Sequence, residues 1–121
     1  MNILELNHVA IHVSDVEKSC DFYANVLGLE RLPRPAFDFP GAWFRLGSAQ
    51  ELHIIEGRTE SVDSRYRGNH FALRTQDLEP WREHLEKLGL VFRGPVKRPD
   101  GATQIFTRDP DGHVIELFIR A

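Results

Sequence analysis

Four side chains of the types that bind first-row metal ions stand at related positions in the two halves of this 121-residue chain: His8, His53, His70 and Glu116. The stretch that carries His8 returns 62 residues later as the stretch that carries His70, and the segments around His53 and Glu116 correspond at an offset of 63. A single histidine on a strand is more often structural, but four ligand types at repeat-related positions favour one shared site. Four donors leave room on a six-coordinate ion, so the pattern predicts an open metal site suited to catalysis.

The faces of the predicted strands support this interpretation. Side chains on a strand point to opposite faces in turn, so His8 and His12 share the face opposite Ile11 and Val13. The second copy likewise places His70 on the face that lacks the large apolar residues. We expect the chemistry on this face. His12 has no counterpart in the repeat and is predicted to be a rim or core residue.

Each half reads as a strand, a helix and three further strands. Ser14 and Glu17 predict a capping box at the start of the first helix, and the apolar residues from Leu78 to Leu88 predict a buried stripe on the second. Turn residues and alternation give the remaining bounds. The predicted strands span 3–13, 30–34, 42–46, 51–56, 69–75, 91–97, 103–108 and 113–119, and the predicted helices span 16–26 and 77–88.

The repeat predicts an α+β fold in a single domain, 1–121, built from two paired βαβββ modules. The modules span 1–57 and 69–121. The polar segment 58–68 lacks periodicity and is the predicted connector. Each helix is expected to cover one face of a curved antiparallel sheet.

Composition narrows the classes of partner. The chain has 15 basic and 18 acidic residues, a net charge of −3 and no basic stripe, which argues against nucleic acid and gives no membrane-surface signal. No signal peptide or membrane-spanning stretch is predicted, and the single cysteine, Cys20, excludes an intrachain disulfide framework. We therefore expect a small-molecule partner and a reducing, cytoplasmic location.

Several short motifs extend over the whole chain. They are Asn7-His8-Val9-Ala10-Ile11, Phe22-Tyr23, Leu27-Gly28-Leu29, Asn69-His70-Phe71-Ala72, Asp109-Pro110-Asp111-Gly112 and Ile115-Glu116-Leu117. With these motifs the chain resembles the vicinal oxygen chelate superfamily, also called the glyoxalase, bleomycin-resistance and extradiol dioxygenase fold. The resemblance implies paired βαβββ modules whose strands curl round a metal-containing cavity. It also implies a homodimer, since single-domain members often dimerise and sometimes build each site from halves of two chains.

The resemblance further implies ligands and an activity. His8, His70 and Glu116 match the metal-binding His, His and Glu of the family, and His53 takes the place held by Glu in glyoxalase-like members and by Gln in acyl-CoA epimerase-like members. The implied cofactor is a divalent ion (Zn, Ni, Co, Fe or Mn). The implied activity is that of a glyoxalase-type lyase or isomerase, whose small substrate chelates the ion through two adjacent oxygens. Glu116 is then the candidate catalytic base.

Three other functions stay open on the residues alone. A non-haem iron dioxygenase of the extradiol type would use His8, His70 and Glu116, although His53 would occupy a position that substrate and oxygen need. Thiol transfer of the fosfomycin type is a further possibility, although no distinctive phosphonate-binding segment is present. A metal-free, drug-sequestering protein of the bleomycin-resistance type belongs to another class, and the intact ligand set disfavours it.

A few further residues are candidates for binding substrate. Arg74 lies on the predicted site face and could bind an anionic group. The aromatic candidates for a pocket wall are Phe37, Phe39 and Trp43, and the weaker basic candidates are Arg45, Lys97 and Arg98.

Overall fold

The computed structural model describes all residues from 1 to 121, and the chain divides into two compact units. The first unit is Met1–Ser61 and the second is Val62–Ala121. Each unit contains one four-stranded sheet and one helix, in the order strand, helix, strand, strand, strand. The predicted α+β architecture of two βαβββ modules is therefore confirmed.

In the first unit a six-residue strand is followed by the helix and three further strands. The elements are β1 (His8–Val13), α1 (Val16–Asp21) with a π-helical continuation (Phe22–Val26), β2 (Arg31–Leu32), β3 (Gly41–Leu46) and β4 (Gln50–Glu56). The strands form one sheet in the order β1-β4-β3-β2.

The second unit repeats this arrangement. The elements are β5 (Phe71–Arg74), α2 (Glu79–Lys87), β6 (Phe92–Lys97), β7 (Thr103–Arg108) and β8 (Val114–Ile119). The strands form one sheet in the order β5-β8-β7-β6, and a register shift between Arg93 and Val96 interrupts the pairing of the edge strand β6 with β7.

One predicted feature of the sheets was wrong: they are two mixed sheets, and not one antiparallel sheet. The first strand of each module pairs in parallel with the last, β1 with β4 and β5 with β8, while the other pairs are antiparallel. A helix and two strands separate the parallel partners along the chain. Such a long connection allows the chain to return in the same direction, which a tight hairpin cannot do.

Alternation along the strands sends one face of each sheet into a core. In the first unit Ile11, Leu52 and Ile54 are almost completely buried, and in the second Ile105 and Leu117 are. The opposite faces carry the residues predicted to do chemistry. Burying the apolar face therefore fixes the direction of the functional side chains, because successive residues on a strand alternate.

Several predicted boundaries differ in the structure. Residues 1–7 lie outside any strand, and the side chain of Asp15, and not of Ser14, caps α1 by accepting from the amides of Glu17 and Lys18. Leu88, predicted to end the buried stripe, is 48% exposed because α2 ends at Lys87. The strand predicted over 30–34 has only two residues in the structure, Arg31–Leu32, because the prolines that follow cannot donate to a strand ladder.

Two further side chains, His113 and Cys20, are partly or largely removed from solvent. His113 is buried, and its Nδ1 lies 2.8 Å from Asp109 Oδ2 in the turn before β8. Cys20 is half-buried, and burial raises the pKa of its thiol, which disfavours a nucleophilic thiolate. Neither helix of the chain has the length and apolar character needed to cross a membrane.

Candidate functional site

The strand registers place two predicted ligands at equivalent positions of the two sheets. Ala10 of β1 is the partner of His53 in β4, and Ala72 of β5 is the partner of Glu116 in β8. The other two predicted ligands lie two residues before these alanines. His8 is the first residue of β1, and His70 is the residue before β5. Each unit therefore brings two of the four predicted ligands together.

In the second unit, His70 and Glu116 form a donor pair. The Nε2 atom of His70 lies 3.1 Å from Oε1 of Glu116. The other ring nitrogen, Nδ1, donates to the carbonyl oxygen of Gly68 at 3.0 Å, which places a proton on Nδ1. The Glu116 side chain is only 5% exposed. This tautomer directs a basic nitrogen and a buried carboxylate towards the same point.

In the first unit, His8 and His53 are stacked and are held by different partners. Their ring centroids are 4.1 Å apart with an interplanar angle of 16°. The Nδ1 atom of His8 lies 2.8 Å from Oδ1 of Asn7, so this nitrogen is the donor and Nε2 keeps its lone pair. On the other side of His53, the Trp43 ring stacks at 4.0 Å and 3°. The two histidines and the indole thus form one continuous stack.

Glu51 is a site residue that the sequence reasoning missed. Its Oε1 atom lies 2.8 Å from Nε2 of His53, and the register places Glu51 opposite His8. The signal was present, because Glu51 and His53 are two residues apart on one strand and share a face. The first unit therefore has a carboxylate hydrogen-bonded to His53, the residue equivalent to Glu116 in the repeat.

The predicted aromatic wall forms a cluster within the first unit. Phe37 and Phe39 stack at 5.1 Å, and Phe37 lies 6.1 Å from Trp43. The guanidinium of Arg34 covers both phenylalanines at 4.8 and 4.9 Å from their centroids. Through Trp43 this exposed cluster is continuous with the histidine stack.

The second unit has a cavity of about 480 Å³ on its site face. His70 and Glu116 line it, together with Tyr66, Arg67, Arg93, Val96, Lys97, Arg98, Pro99, Gln104 and Phe106.

The substrate-binding candidates fall into different places around this cavity. Arg74 lies on the same face, opposite Phe118, but outside the lining. Lys97 and Arg98 are lining residues. Arg45 lies in the first unit, where its Nε atom is 3.2 Å from a carboxylate oxygen of Glu30.

Arg98 brings positive charge next to the buried carboxylate. Its Nη1 atom lies 3.9 Å from Oε2 of Glu116, and the same guanidinium forms an ion pair with Asp100. The hydrogen bond from Arg98, helped by the amide of Ala102, lowers the pKa of Asp100 to about 2, and the pKa of Arg98 rises in return. Arg98 therefore stays cationic beside Glu116 throughout the physiological range.

The donor chemistry of the second-unit pair fits a divalent ion. No three His, Cys, Asp or Glu side chains come together as a metal-binding group. Within a pair, two ligands each about 2.1 Å from one ion are separated by roughly 3.0–3.4 Å at the angles that such ions prefer. The 3.1 Å between His70 and Glu116 lies in this range. A histidine whose far nitrogen donates to a carbonyl is the usual form of a ligating imidazole.

Comparison with known proteins places this geometry in a family. The model of the Glyoxalase/Bleomycin resistance protein/Dioxygenase superfamily matches residues 5–117. A lactoylglutathione lyase from Neisseria meningitidis is 35% identical over 94% of this chain and 89% of its own length. One from Salmonella typhimurium is 34% identical over 94% and 91%. Metallothiol transferase FosB from Bacillus licheniformis is 28% identical over 95% of this chain and 75% of its own.

Solved structures give the same result for the fold. A protein assigned to the glyoxalase family from Bacillus anthracis superposes with a TM-score of 0.87 and 26% identity over 100% of this chain and 98% of its own. A glyoxylase/bleomycin resistance protein/dioxygenase domain from Frankia superposes with a TM-score of 0.85 over 99% and 94%, at 23% identity. The sequence motifs, the paired βαβββ modules and these matches agree, and the chain belongs to the glyoxalase/bleomycin resistance protein/dioxygenase superfamily.

Proposed function

We propose that the protein is a divalent-metal-dependent lyase or isomerase of the glyoxalase type, acting on a small oxygenated substrate. The observation that carries the proposal is the His70–Glu116 pair, in which an imidazole nitrogen with a fixed tautomer faces a buried carboxylate at 3.1 Å. The likeness to lactoylglutathione lyases at 34–35% identity supports the reaction class.

The proposed ligands are His8, His53, His70 and Glu116. His8 and His70 each donate through Nδ1 to an oxygen acceptor, so Nε2 is the nitrogen that would bind an ion, and in His70 this nitrogen faces Oε1 of Glu116, the other proposed ligand of that pair. In His53 the hydrogen bond to Glu51 occupies Nε2, so Nδ1 is the free donor atom of that ring. The set of three imidazoles and one carboxylate suits Zn, Ni, Co, Fe or Mn.

A bound divalent ion would supply Lewis acidity towards two adjacent substrate oxygens. In the proposed reaction the Glu116 carboxylate takes the proton from the hydroxyl-bearing carbon next to the substrate carbonyl and returns it to the carbonyl carbon, while the hydroxyl proton passes to the former carbonyl oxygen. No atom is gained or lost, so the step is an isomerisation. Arg98, 3.9 Å from the second oxygen of Glu116, adds positive charge where the substrate becomes an enediolate.

Metal-dependent thiol transfer to a small substrate is the second candidate. It is favoured by the likeness to metallothiol transferase FosB and by His53, which stands where glyoxalase-like members have a glutamate. The two activities are separated by assaying one loaded preparation in parallel. A hemithioacetal of glutathione tests the isomerase, and a thiol with an electrophilic small molecule tests the transferase.

We further propose that the working form is a homodimer, as superfamily members often are. Sedimentation equilibrium of the purified chain tests this directly. A single species at the monomer mass of 13.9 kDa over the working concentration range would contradict it.

The first experiment is metal analysis of protein purified without a histidine tag or chelator. We expect about one divalent ion per chain in the wild type and none in the His70→Ala, Glu116→Ala double variant, because both donors of that pair are removed. His12→Ala is the matched control, since His12 shares a strand and a face with His8 without belonging to the ligand set.

The identity of the ion directs the assays that follow. Nickel or zinc with isomerisation of a hemithioacetal supports the proposal. Iron with oxygen-dependent ring cleavage of a catechol would replace it with a dioxygenase. A wild-type protein that takes up no metal on titration would overturn it in favour of a ligand-binding protein.

A further inference from the structure

The rings of Trp43, His53 and His8 lie on three adjacent strands of the first sheet. The register pairs Trp43 of β3 directly with His53 of β4, and it places His8 of β1 opposite Glu51, two residues before His53. Neighbouring strands lie about 4.8 Å apart, so flat rings on one face of adjacent strands come within stacking distance. The strand pairing therefore produces the stack.

The stacked rings of His8 and His53 cannot both bind one ion. Their centroids are 4.1 Å apart, and their planes differ by only 16°. The lone pair of an imidazole nitrogen lies in the plane of its ring, so a bound ion lies close to that plane. An ion about 2.1 Å from His8 Nε2, in the plane of that ring, would be roughly 2–3 Å out of the plane of His53. In this arrangement only one of the two rings can be a ligand.

The equivalent pair in the second unit is arranged differently. His70 directs its Nε2 atom at Oε1 of Glu116 from 3.1 Å, so both donors can reach one point. Phe106 takes the place of Trp43 in the register, opposite Glu116, and it meets the His70 ring edge-on. The second unit brings donor atoms together, whereas the first unit brings ring faces together.

His53 is the enclosed ring of the stack, and His8 is the open one. Trp43 covers one face of His53 and His8 covers the other, while Glu51 Oε1 lies 2.8 Å from its Nε2 atom. The side chain of His53 is only 14% exposed. His8 is an exposed residue at the end of the stack, and its Nδ1 atom lies 2.8 Å from Oδ1 of Asn7. The geometry leaves coordination to His8.

We infer that His53 is a positioning residue: held by Trp43 and Glu51, it fixes the plane of the His8 imidazole and does not itself bind the ion. This inference rests on the proposed function for the ion, and it takes His53 out of the proposed ligand set. A ring packed flat on His8 restricts the rotation that the imidazole would otherwise lose when it binds an ion. His53 thereby raises the metal affinity through His8, as neighbours that orient a ligand do.

The test compares two variants that preserve the stack, His53→Phe and His8→Phe, with His53→Ala, which does not. Phenylalanine keeps a flat ring in the stack but has no lone pair to give an ion. We expect metal affinity within about threefold of wild type in His53→Phe, about tenfold weaker in His53→Ala and at least about 100-fold weaker in His8→Phe. Competition with a chromogenic chelator measures the affinities. The visible absorption of bound Co²⁺ reports its ligand set and should be unchanged in His53→Phe.

A second readout follows the stack without metal. In protein stripped by a chelator, the NMR shifts of the His8 ring protons report the aromatic face packed on them. These shifts should stay near their wild-type values in His53→Phe and move towards those of an exposed histidine in His53→Ala. A wild type that takes up no metal would remove the proposed function, and the His8 shifts would still decide whether His53 holds the His8 ring.

The outcomes are distinct. Metal affinity kept in His53→Phe, with an unchanged Co²⁺ spectrum, supports the inference. An affinity loss in His53→Phe as large as that in His8→Phe, with an altered Co²⁺ spectrum, would overturn it and make His53 a ligand. His8 shifts that are the same in wild type and His53→Ala would also overturn it, because the two rings would then not be stacked in solution.

Discussion

The two units share one topology and one register but surround their predicted ligands with different chemistry. In the first unit, His53 lies between His8 and Trp43 in a stack of rings, with Glu51 bound to its Nε2. In the second unit, the equivalent position is held by Glu116, which faces His70 beside a basic cavity.

This comparison shows which features the two halves of the repeat share and which differ. The register keeps the positions of the donors, because they are set by alternation and by burial of the opposite face. The neighbours of the donors include residues of β3, β4 and β7, Arg98 after β6, and the segments before β1 and β5, and at these places the two halves differ in sequence. The site face of the first unit carries a cluster of aromatic rings, and the site face of the second unit carries a cavity lined by charged residues.

The largest expected difference between the units concerns their carboxylates. Glu116→Gln should lower kcat about 10²–10⁴-fold, because the amide cannot accept a proton. Glu51→Gln should lower it by about tenfold or less, because the amide can still hydrogen-bond His53. Steady-state kinetics of metal-loaded proteins measures both. If Glu51→Gln proves the more damaging variant, the base belongs to the first unit and the assignment of Glu116 is wrong.

The core faces should behave alike although the site faces differ. Ile54 and Leu117 are equivalent in the repeat and are 0% and 2% exposed. Replacing either with Ala should reduce the free energy of unfolding by about 2–5 kcal/mol, through lost apolar burial and the cavity left behind. Ile54→Val is the milder control, at about 0.5–1.5 kcal/mol. Denaturant unfolding measures these values, and a loss below 1 kcal/mol in either alanine variant would show that the two cores are not equivalent.

The smallest effect concerns how the histidines are oriented. Asn7→Ala removes the acceptor of His8 Nδ1 and should weaken metal binding about tenfold. Asn69→Ala, its counterpart in the repeat, should change metal affinity less than about twofold, because His70 donates to the Gly68 carbonyl instead. Competition with a chromogenic chelator measures both affinities. Equal losses in the two variants would mean that neither hydrogen bond orients a ligand.

Much of the fold was predictable from local pattern. The bounds of β3, β4 and β7 were predicted to within one residue, since period-two alternation between turn residues leaves little freedom. The parallel pairing of β1 with β4 was missed because direction depends on connections distant in sequence. Leu88 was misplaced because periodicity continues past the residue where the helix actually stops.

Candidate site residues at repeat-related positions could be predicted from the sequence. Residues that reach the cavity only through tertiary packing could not. The repeat marks His53 and Glu116 as equivalents, and the strand registers agree with that pairing, while the role of these residues as metal ligands stays a prediction. Tyr66 and Arg67 were missed because they lie in the segment predicted to be a connector, which has no periodicity. The second unit begins at Val62, inside that segment. The Ser64 hydroxyl attaches this part of the segment to the second unit, because it accepts a hydrogen bond from the amide of Val114 at 2.8 Å.

The stack of Trp43 on His53 gives the protein a built-in optical reporter. An indole in face-to-face contact with an imidazole at 4.0 Å changes its fluorescence when that imidazole is protonated or coordinated. The other tryptophan, Trp81, lies in α2 with its indole nitrogen donating to Thr75. Replacing Trp81 with phenylalanine leaves Trp43 as the single emitter. Events at the histidine stack of the first unit then become visible in the intrinsic emission of the unlabelled chain.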